Sequence, residues 1–174
     1  MSTTQLDSIS RQHQLTLFQY KRWADGRTLA AIGQIDRSKY DQSFAFTLQQ
    51  VNHMVIVEDL FRSRLEHVEP PHKATNSEEV PELETLGERL LESGGWYQNY
   101  VEQLSTIEQQ QTIRFVFADG KPGSMAVGEI LFHIINHGTY HRGAIAHALD
   151  LANVPHPVDG YGIFIHQQEP HRRR

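Results

Sequence analysis

The sequence predicts an all-α protein, a four-helix bundle with a short hairpin or extended crossover before the last helix. Three observations carry this prediction. Four long segments repeat apolar residues at helical spacing, proline and glycine signals punctuate them, and a single alternating stretch stands ahead of the fourth. Four amphipathic helices of similar length, with a long third connection, bury their stripes most simply as a bundle.

The first helix is expected from about Thr3 to Ile35, where Leu6, Ile9, His13, Leu17, Tyr20, Ala24, Leu29 and Ile32 recur, with Gly26 and Gly33 weakening it locally. Aromatic residues on such a face, Tyr20 and Trp23, belong to the core or line a pocket mouth. The second is expected from about Ser43 to Val68, with Leu48, Val51, Val55, Leu60 and Leu65 on one face and Pro70-Pro71 closing it.

The third is expected to begin near Pro81 and to bury Leu83, Leu86, Leu90, Tyr97, Val101 and Leu104. Gly94-Gly95 in its middle invites a bend. Thr112 to Phe117 alternates toward the turn-like Ala118-Asp-Gly-Lys-Pro122, which suits a hairpin or crossover. Ser124 is a good N-cap for the fourth helix, which should run to about Leu151. The segment from Val154 to Ile165 is too rich in proline and glycine to continue that helix and too apolar for a solvated linker, so it should fold back onto the bundle. One domain is expected over residues 1–174, with a core at 3–165 and a tail at 166–174.

Sixteen basic against 21 acidic residues give a net charge of -5, a surface that repels phosphate backbones and anionic lipids. Nucleic acid and membrane are therefore not expected as partners, and the basic run His171 to Arg174 reads as a frayed tail. The N-terminus lacks a leader pattern and no window approaches about 18 apolar residues, so the expected location is the cytoplasm. With no cysteine, the chain has no disulfide, thiolate zinc site or protein thiol nucleophile. Nitrogen and oxygen must hold any metal.

The fourth helix carries His133, His137 and His141, each four residues after the last. On a helix they share one face, but His133 and His141 lie roughly 12 Å apart along the axis and cannot share one ion. Either His133 with His137 or His137 with His141 could grip a divalent ion. A catalytic site usually needs a third ligand, and His53, set among apolar residues of the second helix, is the best candidate.

Tyr20-Lys-Arg-Trp-Ala-Asp25, His53, Asn136-His-Gly-Thr-Tyr-His-Arg-Gly143 and Val154-Pro-His-Pro157 together resemble the DinB family of DinB/YfiT-like metalloenzymes, over most of the chain. The resemblance implies an up-down-down-up bundle with a metal at one end of its core. It implies His53, His137 and His141 as ligands, leaving His133 as a core or outer-sphere histidine. Another histidine is common in the family where this chain has Tyr140. Homodimers are common there as well, and one is expected here.

Three neutral imidazoles would leave the charge of zinc, nickel or iron uncompensated and a coordination position open, a Lewis-acid site. A cysteine-free chain suits a thiol supplied as a small cofactor, in keeping with similar proteins that act as thiol transferases or thiol-dependent isomerases. The leading expectation is a metal-dependent enzyme that activates a low-molecular-weight thiol for transfer to a small electrophile. The alternatives are a hydrolase using metal-activated water and a non-catalytic metal-binding stress-response scaffold. Glu58 and Asp59, just past His53, are either a general base or ordinary helix-surface carboxylates. Arg142 is either an anchor for an anionic substrate group or part of a structural pair with Asp25 or Glu58.

Overall fold

The computed structural model describes residues 3–173, with side chains described from Arg11 onward. The side chains of Leu6 and Ile9 of the predicted first stripe, and Arg174 of the tail, lie outside the described residues. Four long helices form the body: α1 (Thr3–Ile32), α2 (Arg37–Leu65), α3 (Leu83–Gln103) and, after the short α4 (Thr106–Gln109) and two strands, α5 (Val127–Leu151). The strands β1 (Thr112–Val116) and β2 (Pro122–Ala126) pair antiparallel, and α6 (Tyr161–Gln168) follows α5.

The helix directions follow from which residues meet. Lys21 of α1 pairs with Glu58 of α2, and the four-residue link 33–36 turns one helix back on the other. The glycine face of α3 runs opposite to α1, with Gly87 against Leu29 and Gly94 against Arg22. On α5, His137 meets His53 and His133 meets Phe61, so α5 runs opposite to α2. The order is up-down-down-up in an all-α bundle, the arrangement that the resemblance implies.

Helix ends sit where local chemistry puts them. α2 starts earlier than periodicity suggested: Asp36 accepts the Ser38 backbone N–H as an N-cap, and a kink at Tyr40 (φ -127°, ψ 39°) absorbs the change of direction. It ends at Leu65 because His67 adopts φ 58°, which lets Val68 N–H reach the Ser63 carbonyl. α5 ends in the same way, with Asn153 at φ 55° and Val154 N–H on the Leu149 carbonyl.

Four expectations are corrected. α1 stops at Ile32, since the Asp36 cap belongs to the next helix. α3 starts at Leu83, two residues after Pro81; it continues unbroken through Gly94-Gly95, where Gly94 lies against the stem of Arg22. Ser124 does not cap α5; it pairs with Arg114 in the hairpin, and Glu129 accepts the Ala126 N–H at 2.8 Å in its place. Past the Pro/Gly segment, α6 forms because Phe164 is buried on Tyr20 and Trp23, and it reaches into the stretch expected to be tail.

The interior is layered. One apolar cluster gathers Phe18, Phe61, Tyr97, Ile130 and Ile134, and another gathers Ile32, Val51, Val55, Leu86 and Leu149. Between them in helix register lies a buried layer of charge. Lys21 Nζ stands 2.7 Å from both Asp25 and Glu58, and Arg142 stands 2.8 Å from both Asp25 and Asp159. Ser93 donates to Glu58 at 2.6 Å, and the Tyr20 hydroxyl donates to Asp159. Tyr20 and Trp23 thus belong to the packing under α6, not to a pocket mouth.

Candidate metal centre

α2 delivers His53 and α5 delivers His137 and His141, the last two one turn apart on the same face. The Nε2 atoms of His53 and His141 each lie 3.1 Å from Nε2 of His137, and all three fall within 4.8 Å of one another. Tetrahedral bonds of zinc to imidazole place neighbouring nitrogens about 3.3 Å apart. The three-histidine group therefore has the spacing to hold a metal ion.

Hydrogen bonds at the far side of two rings aim the lone pairs inward. The Nδ1–H of His53 donates to the Thr75 carbonyl at 2.8 Å, from the loop that folds back along α2. The Nδ1–H of His141 donates to the Gln50 side-chain carbonyl at 2.7 Å. Each donation leaves the neutral ring with an unprotonated Nε2, the form that ligates metal. His137 Nε2 faces both lone pairs, and a single N–H there could satisfy only one of them well. A cation satisfies all three.

Burial, first, and then the neighbouring His141, His53 and His133 push the His137 pKa down to about 3; Lys21 adds to the effect. Burial and then His53 bring His141 down to about 4. Both rings are thus neutral at physiological pH, and protons do not compete with a cation there.

Beside the triad opens a cleft of about 450 Å³, walled by His53, His137, Val57, Leu60, Phe61 and Met125. The hairpin turn supplies Phe117 and Ala118 to its rim, and Arg64 and His133 complete it. His133 is half-buried, its ring 4.9 Å from that of Phe61 and 5.3 Å from that of His137. It stands beside the triad on the cleft wall. Tyr140 is 73% exposed and does not line the cleft; its ring packs edge-on against that of His141, with centroids 5.1 Å apart.

The three other candidates are engaged elsewhere. Glu58 is enclosed by Lys21 and Ser93; burial, the largest influence, raises its pKa against the opposing charge of Lys21. Asp59 binds His72 at 2.9 Å and Arg89 at 2.7 Å and lines a different surface hollow. Arg142 is 2% exposed and fully paired with Asp25 and Asp159, which realises the structural alternative. Sequence reasoning missed Gln50, Thr75 and Arg64. Gln50 lies one turn before His53 and Arg64 eleven residues after it, so helical phase carried a signal for both; Thr75 acts through its backbone and left none.

An antiparallel pair of helices that turns three imidazoles toward one point, next to an open apolar cleft, defines a bundle with a candidate metal site. The chain belongs to the DinB family, whose sequence model matches residues 1–173. It is similar to Protein DinB of Bacillus subtilis (strain 168), with 27% identity over 164 residues that cover 86% of this chain and 91% of that relative. No solved structure matches it. Among the described residues no helix is long and apolar enough to cross a membrane.

Proposed function

We propose that this protein is a metal-dependent transferase in which His53, His137 and His141 hold one divalent ion, zinc, nickel or iron, and a small thiol attacks an electrophile in the adjoining cleft. When bound, such an ion supplies Lewis acidity that keeps the attacking sulfur deprotonated at neutral pH. The chain's own residues do the rest. Thr75 and Gln50 fix the tautomers of two rings, and the apolar wall of Val57, Leu60 and Phe61 excludes water from the reacting groups. The sulfur–carbon bond forms as the electrophile's leaving group departs with its electron pair, and the thiol proton ends on that leaving group.

The observation that carries this reading is the convergence of three Nε2 atoms at the edge of a cleft, in a chain with no sulfhydryl of its own. Two contacts set it ahead of the alternatives. Hydrolysis would lean on Glu58 or Asp59 as base, and both are held by other partners. A purely structural ion would be closed in by protein, whereas His53 and His137 border open space.

The test uses protein purified without a nickel column, analysed for its elements, loaded with zinc, nickel or iron, and offered a panel of small thiols with a reactive electrophile. Metal-dependent conjugation, absent in His137→Ala, is the expected result. A fully loaded protein that conjugates none of the thiols, or conjugates them equally after the substitution, would overturn the reading.

A further inference from the structure

The cleft has a second end, and its chemistry is not that of the triad. Arg64 follows His53 by eleven residues, about three helical turns, so both side chains face the cleft from the same side of α2. Its guanidinium lies over the rings of Phe115 at 4.0 Å and Phe61 at 4.6 Å, with Phe117 at 5.9 Å. One hydrogen bond ties it to the protein, from Nη2 to the Val116 carbonyl at 3.3 Å. Among the described residues no carboxylate pairs with it, whereas Arg62 and Arg89 each have one and Arg142 has two. The residues that wall the cleft include no aspartate or glutamate either. In a chain with a net charge of -5 this is a local reversal of sign.

A guanidinium set over aromatic rings and tied by a single hydrogen bond keeps N–H donors of its fork for a planar partner. Such a fork matches a carboxylate with two parallel N–H donors. The half-buried setting raises the value of that pairing above what a surface arginine offers. Phe61 and Leu60 lie between this end and the histidines, so a ligand that spans the cleft needs an apolar middle.

We propose that Arg64 anchors a carboxylate on the small molecule that fills this cleft, with the molecule's apolar middle on Phe61 and its other end at the histidine triad. This deepens the transferase reading by naming the substrate class as an acid-bearing thiol or an acid-bearing electrophile. The carboxylate site itself needs no thiol chemistry.

Binding of matched probes to the zinc-loaded full chain tests it, by calorimetry: hexanoate against hexanol, and mercaptohexanoate against mercaptohexanol. Each acid should bind more tightly than its alcohol, and Arg64→Gln should remove about tenfold to a hundredfold of that preference. Arg64→Lys, which keeps charge and stem but not the fork, should retain only part of it, and it serves if Arg64→Gln does not fold. A mercapto acid that outbinds hexanoate places the carboxylate on the thiol; equal binding places it on the electrophile. An acid preference that survives both substitutions would mean that the ion alone attracts the carboxylate, and the proposal would fall. Failure of the transferase reading shows separately, as absent conjugation with the Arg64-dependent preference intact.

Discussion

At the scale of single residues, the candidate metal site depends on atoms outside its three imidazole rings. Gln50 and Thr75 each accept an Nδ1–H, and each fixes which nitrogen of a ring is left bare. Without Gln50, His141 can rotate or take the other tautomer, and its Nε2 then carries a proton where a lone pair is needed. Outer hydrogen bonds of this kind are worth about 10- to 100-fold in metal affinity. Gln50→Ala should weaken zinc binding by that factor in competition with a coloured chelator, and Gln50→Glu, which keeps an acceptor, should restore it. Equal affinity in all three proteins would show that His141 is oriented by packing alone. The histidines themselves were legible: four-residue spacing pointed to His137, and family likeness paired it with His141 and His53. Their orienting partners were not, because Gln50 is an unremarkable helix residue in sequence and the Thr75 contribution is a peptide carbonyl delivered by a loop.

At the scale of elements, a buried charge layer links α1 to both α2 and α5, and Gly138 gives it room. A Cβ on that glycine would stand 3.0 Å from Arg142 Nη1 and 3.2 Å from Lys21 Cε, so side chains in ion pairs would have to move. Gly138→Ala should cost about 1–3 kcal/mol, as overpacking does. Lys21→Met should cost more, about 3–5 kcal/mol, because Asp25 and Glu58 would face each other without their shared cation. Burial works against the charge on Lys21, yet Asp25 and Glu58 outweigh it and its pKa ends raised, as such a dependence requires. Urea unfolding measures both costs; a Lys21→Met loss within error of zero would mean that the layer is dispensable. The element boundaries also show where sequence signals compete. Ser124 reads as a helix cap, but pairing with Arg114 holds it in a strand. Tyr161 to Gln168 lacks the composition of an autonomous helix, and forms through Phe164 docking on the aromatic residues of α1.

At the scale of the whole molecule, Tyr97 joins one of the two apolar clusters to Glu58 of the charge layer. It is 0% exposed, stacked on Phe18 with ring centroids 5.4 Å apart, and its hydroxyl donates to the Glu58 carbonyl at 2.9 Å. Burial is the main reason that its pKa lies well above 10.0, and the negative charges of Glu58 and Asp59 push the same way. The sign of the pH effect follows. A tyrosine freed by unfolding loses its proton near 10, while the folded one keeps it, so the folded state binds more protons above that pH. Stability from this group is complete below about 10 and falls as pH rises further, by about 1.4 kcal/mol per pH unit. Tyr97→Phe cannot ionise. The variant should lose about 1 kcal/mol at neutral pH with the hydrogen bond, and then decline less steeply in alkali. Unfolding free energies measured from about pH 8 to 11 should therefore show two curves that converge. Parallel curves would mean that the Tyr97 hydroxyl ionises as freely in the folded protein as in the unfolded chain, and that water reaches the middle of the bundle.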